Sequence, residues 1–103
     1  MAAEPVTPVA GTNSVVAAGG TAVQAAPAAP NGGFITNPAS AVDQGIADAE
    51  TLYVDPVGAA DVQANGTTFA LAPGQSWSLI PGQTTTTTVN AASAGHKFSV
   101  VVY

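Results

Sequence analysis

The sequence contains no cysteine and no arginine, and among its 103 residues Lys97 is the sole basic side chain and His96 the sole histidine. Each shortage removes a class of chemistry. Without thiols, neither a disulfide nor a thiolate metal site can brace the fold. A single imidazole would have to serve every triad or metal cluster, so no catalytic residue, metal ligand or cofactor is expected, and the chain is not expected to be an enzyme. A formal net charge of -5 leaves no electrostatic footprint for nucleic acid or an anionic membrane. No apolar run approaches the ~20 residues that span a bilayer. The opening Met1-Ala-Ala-Glu-Pro lacks the basic region and apolar core of a signal peptide, so the expectation is a protein made and used without export.

Charge of either sign is scarce. Only 7% of residues are charged, against roughly 25% in ordinary soluble domains. Aromatics make up 6%, and many of the 47% hydrophobic residues are alanines, so each buried position contributes little. A thin core under a bare surface favours self-association, and a homo-oligomer, dimer or trimer, is expected.

What is present is β structure. Thr67 to Ala72, Ser76 to Ile80 and Thr84 to Asn90 are strand-like runs joined by two copies of Pro-Gly-Gln, and Lys97 to Tyr103 is a fourth. Pro presets φ at the second position of a turn and Gly accepts positive φ at the third, so each copy predicts a type II turn. Alternation places Phe69, Leu71, Trp77, Leu79, Phe98, Val100 and Val102 in the core. Val101 and Tyr103 make the second face of the last run apolar as well, which predicts a central strand or one covered by a partner.

Upstream, Gly33 to Thr36 and Thr51 to Val54 are further short strands. Asp61 to Ala64 is another, expected to pair with the next through a type I′ turn at Asn65-Gly66. Ser40 with Asp43 three residues on is a capping pattern, but Gly45 limits the helix to one or two turns. Met1 to Thr12 is rich in proline and has no period, Ser14 to Ala18 and Thr21 to Ala25 flank Gly19-Gly20 as a hairpin would, and Ala26 to Gly33 is a Pro/Ala/Gly connection. The expected organisation is an extended N-terminal arm over residues 1–30, with a possible β-hairpin, followed by one all-β domain over residues 31–103. That domain is a small antiparallel β-sandwich, barrel or jelly roll.

Isolated motifs do not lead to chemistry. Gly95-His96-Lys97 reads as a turn into the last strand, Asp43, Asp48 and Glu50 lack the repeat of a calcium loop, and Thr84 to Thr88 is a good strand former on a wet edge. Asn65-Gly66-Thr67 fits a glycosylation sequon, but the hairpin turn accounts for it without a secretion signal.

Taken in order, GGFITNP (Gly32 to Pro38), DQGIADAETLYVDPVG (Asp43 to Gly58), ANGTTFALAPGQSWSLIPGQ (Ala64 to Gln83) and AGHKFSVVVY (Ala94 to Tyr103) resemble, in texture and motif order, the small head decoration (cement) proteins of tailed bacteriophages. The resemblance implies a β-sandwich or jelly-roll module on the outer surface of the virion capsid. There it would act as an oligomer that ties neighbouring major capsid protein subunits together, assembled in the host cytoplasm. Low charge suits burial against partners, and a negative balance suits the outside of a shell whose inside faces DNA.

The resemblance supplies no site residues. From the residues alone, the expected partner contacts are Val6, Val9, Val15, Val16 and Val23 of the arm, with Phe34 and Ile35. The alternative is a non-catalytic carbohydrate-binding or adhesin-type module, which needs exposed aromatics for stacking, and beyond Phe only Tyr53, Trp77 and Tyr103 are available. A cupin-like enzyme would share the turn at Leu71 to Gly74 but needs histidines that are absent.

Overall fold

The computed structural model describes residues 8–26, 31–82 and 85–103. Among the described residues ten strands follow one another: β1 (Val9–Ala10), β2 (Val15–Val16), β3 (Val23–Ala26), β4 (Gly33–Thr36), β5 (Leu52–Asp55), β6 (Phe69–Leu71), β7 (Ser76–Leu79), β8 (Thr87–Asn90), β9 (His96–Lys97) and β10 (Ser99–Val102). One helical turn, α1 (Ala41–Gln44), lies between β4 and β5. Ser40 caps it by accepting from the Asp43 N–H, and Gly45 ends it at φ 73°, where glycine avoids the steric cost of a Cβ.

Two four-stranded sheets result, ordered β1-β10-β4-β7 (the first sheet) and β3-β8-β5-β6 (the second), with β2-β9 as a separate pair. All pairings are antiparallel, and partners move inward from the two ends of the chain. Val9 faces Val102, Val15 faces Lys97, Val23 faces Val89, Ile35 faces Trp77 and Leu52 faces Leu71. The chain is therefore one long hairpin, tipped by the 56–68 loop and wrapped over itself into two layers. This is the strand order of a jelly roll.

The first Pro-Gly turn sends the chain between layers, while the second runs into residues 83–84, which lie outside the described residues. Gln75 N–H donates to the Ala72 carbonyl at 3.0 Å and Gly74 has φ 87°, as a type II turn requires. A type II turn splays its flanking strands instead of twisting them together. Accordingly, β6 and β7 lie in different sheets.

Between the layers sit Ile35, Leu52, Val54, Leu71, Leu79, Val89, Phe98, Val100 and Val102, with Val16, Ala25, Ala26 and Ala91. Of the residues that alternation assigned to the core, Phe69 and Trp77 are half-buried. They meet edge to face at 4.9 Å, where the layers converge along β6 and β7. β10 lies between β1 and β4, as its two apolar faces predicted.

Three local expectations are corrected. Residues 9–26 do not form an arm: β1, β2 and β3 pair with β10, β9 and β8, while residues 1–7 and 27–30 lie outside the described residues. Gly19-Gly20 does turn, with Thr21 N–H donating to the Ala18 carbonyl, but its strands do not pair with each other. Instead Gly20 N–H bonds the Ala91 carbonyl, and an added Cβ on Gly19 would strike the Ala92 backbone, so the turn packs on the far limb of the hairpin. Asp61 to Ala64 is not a strand. Asp61 Oδ1 accepts from Gln63 N–H, and Ala64 and Gly66 take φ 55° and 63° in successive turns. The local side-chain bond replaces ladder pairing.

Candidate interaction surface

The first sheet supplies a surface of unusual composition. No residue of β1, β10, β4 or β7 is charged. Register aligns Ala10, Val101, Phe34 and Ser78 in one row across its outer face, and Thr36, Ser99 and Ser76 in the next. The Thr36 and Ser76 hydroxyls bond each other at 2.6 Å. Ile80, which follows β7, is 59% exposed. The face thus has an apolar end, ringed by Phe34, Val101 and Ile80, and a hydroxyl end.

Charge gathers elsewhere. Asp43, Asp48 and Glu50 lie in and after α1, Asp55 ends β5, Asp61 lies in the tip loop and Lys97 is on β9. Asp55 is buried. Its carboxylate accepts from the Val57 and Gly58 N–H groups at 2.8 Å and from the Thr67 and Thr68 hydroxyls at 2.8 and 3.0 Å. Burial alone would raise its pKa, but the four donors outweigh it and hold the carboxyl below the usual range. The threonine run completes this anchorage. Thr88 accepts from Ala60 N–H and donates to the Gly58 carbonyl, and Thr85 donates to the Pro56 carbonyl. These hydroxyls hold a loop, which alternation within their own strand does not reveal.

A second polar cluster is built on three fully buried side chains, His96, Asn37 and Gln44. His96 Nε2 lies 2.9 Å from Asn37 Oδ1, which also accepts from Gln44 Nε2. Asn37 Nδ2 donates to the Glu50 and Leu71 carbonyls, so Nε2 is the protonated nitrogen of His96. Nδ1 has no hydrogen-bond partner among the described residues and stands 3.9 Å from Glu50 Oε2. Glu50 also accepts from Ser93 N–H and hydroxyl. Burial lowers the His96 pKa, the Glu50 charge opposing it in part. The ring is a neutral core group with no access to solvent. Among the described residues no group of three or more His, Cys, Asp or Glu is placed to hold a metal.

The residues expected to meet a partner are dispersed. Phe34 lies on the outer face, and Val9 is 54% exposed at the rim of β1. Val15 and Val23 are half-buried, and Val6 lies outside the described residues. Val16 and Ile35 are corrected: both are completely buried in the core, because Val16 sits opposite His96 and Ile35 between Val100 and Trp77, so neither has surface to offer. Ile80 was not anticipated, although alternation through β7 places it on the same face as Phe34; Val101, expected on the apolar second face of the last run, lies there too. Compared with known families, curated proteins and solved structures, the chain matches none of them.

Proposed function

We propose that this protein is a structural, non-catalytic component of a phage virion, which docks the outer face of its first sheet on the outside of the capsid and stabilises contacts between major capsid protein subunits. The observation that carries it is the charge-free face with Phe34, Val101 and Ile80 on a chain whose net charge is -5. A monomer that leaves such a face in water gains little, whereas a permanent partner removes it from solvent at about 25 cal/mol per Å² of apolar area. The resemblance in motif order to head decoration proteins supplies the partner. Jelly rolls recur in viral capsid proteins and in lectins, an association of folds that assigns no residue a role.

Among the described residues, no acidic side chain lies on a strand of the docking face. The experiment is addition of the protein to undecorated heads, with density for the chain and the temperature of DNA release as readouts. Phe34→Asp, on an exposed position, should abolish decoration while leaving the β spectrum intact. Undiminished decoration by that variant, or heads equally heat-stable with and without the protein, overturns the proposal.

A further inference from the structure

Each sheet has two edges, and three of the four are blunted. β1 is two residues long. Along β3 the Gln24 carbonyl accepts from the Thr12 hydroxyl and Asn13 Nδ2, the Ala25 carbonyl accepts from Thr12 N–H, and the register shifts between Gln24 and Ala26. On β6 the Leu71 carbonyl accepts from buried Asn37, and the following Ala72 N–H donates to Gln75 Oε1. Short strands, bulges and side chains that occupy edge groups are the devices that prevent edge-to-edge pairing.

β7 has none of them. It pairs with β4 over its whole length without a register shift and, among the described residues, has no strand on its other side. Asn37 N–H donates to the Gln75 carbonyl, and antiparallel alternation then directs the backbone groups of Trp77 and Leu79 to β4 and those of Ser76, Ser78 and Ile80 outward. Ser76, Ser78 and Ile80 are all exposed. No charged residue occurs between Asp61 and Lys97, so neither lysine nor carboxylate guards the strand. The half-buried Trp77 and Phe69 lie beside it.

We infer that β7 is a self-association edge: it pairs antiparallel with β7 of a second copy across a twofold axis at Ser78, joining the two first sheets into one continuous sheet. Charge selects the occupant. A twofold contact sets one patch against the same patch of the other copy, so acidic charge in it would meet acidic charge, and the first sheet avoids this through all four strands, none of which carries a charge. Ser78 faces Ser78, Ser76 faces Ile80, and Trp77 of each copy gains apolar neighbours from the other. The inference stands independently of the capsid reading, since it concerns the purified protein alone.

Because the chain has no cysteine, a single Ser78→Cys reports directly on the axis. Directly opposed, hydrogen-bonded residues have Cα atoms about 5.5 Å apart, within disulfide range. The expected result is that wild type sediments at micromolar concentration with twice the mass of one chain, that Ser78→Cys is captured as a covalent dimer on mild oxidation, and that Ser99→Cys, on the same face but on β10, is not. Ser78→Pro, which removes an outward N–H, and Ser78→Lys, which opposes two charges at the axis, should halve the mass; circular dichroism checks that each is folded. A monomeric wild type overturns the inference. So does a dimer that survives Ser78→Lys, or equal crosslinking at both cysteine positions. Pairing of β7 only with a different protein would also show as a monomeric wild type.

Discussion

Replacing Asp55 by Ala removes the acceptor on which the tip of the jelly roll closes. Four donors lose their partner: Val57 N–H, Gly58 N–H, and the hydroxyls of Thr67 and Thr68. A hydrogen bond to a charged group is worth about 1.5–3 kcal/mol, but three of these donors belong to exposed residues and recover water. Thr68 is buried and keeps only its acceptor role toward Asp61 N–H. The expected net loss is therefore about 2–4 kcal/mol, far below the sum of four such bonds. In urea, with a slope of about 2 kcal/mol per molar, the midpoint falls by roughly 1–2 M.

Asp55→Asn separates hydrogen bonding from charge. Its amide oxygen still accepts from both N–H groups while its NH₂ turns toward hydroxyls that can accept, so about 1–2 kcal/mol is expected. The pH dependence supplies a second check. The folded pKa of Asp55 is lowered, so the unfolded chain takes up its proton first as the solution is acidified. The stabilisation is complete above the unfolded pKa of about 3.9 and disappears as pH falls through the folded value. Asp55→Asn should flatten that acid loss. An unchanged urea midpoint in Asp55→Ala would refute the anchoring of the loop.

His96, the one histidine, gives a single imidazole titration by NMR, and its midpoint should lie below about 6.5. Since its folded pKa is lowered, its contribution to stability is complete above the unfolded pKa and declines as pH falls toward the folded one; a midpoint at or above 6.5 contradicts the buried neutral ring. Phe98→Ala should cost about 3–5 kcal/mol in thermal or urea unfolding, because the ring is buried between the sheets, and wild-type stability would void the assignment of faces. At Gly11 an added Cβ collides with the Ala25 carbonyl and the Val100 side chain, so Gly11→Ala should destabilise by about 1–3 kcal/mol. An arm free of the sandwich would leave its stability unchanged.

The strands after Thr67 were legible because alternation over Phe69-Ala-Leu71, Trp77-Ser-Leu79 and Val100-Val-Val102 and the Pro-Gly turns are local signals. Which strand lies beside which was not legible, since a period of two specifies a face and is silent about the neighbour. Gly19-Gly20 predicted a hairpin because the turn is written in adjacent residues, whereas the partners of its strands lie some sixty to eighty positions away, beyond any local pattern. The polar cluster was hidden for the same reason. His96 was legible only as part of a turn, and its meeting with Asn37 depends on β4 and β9 being folded together. The anchoring by Asp55 was hidden likewise, since its four donors come from both ends of a loop whose shape the sequence does not encode locally.

The pairing of Val9 with Val102 has a consequence for synthesis. β1 is translated about 90 residues before its neighbour in the sheet, so the first strand waits unpaired through the translation of everything between them. At roughly 5–20 residues per second this is a delay of several seconds. Every intermediate length is a half-hairpin with an open sheet and few charges to keep chains apart. The nascent protein is therefore exposed to misassociation for the duration of its own manufacture, and folding through such distant pairings is slow once begun. Expression at lower temperature or lower copy number should raise the soluble yield far more than any stabilising substitution in the finished core.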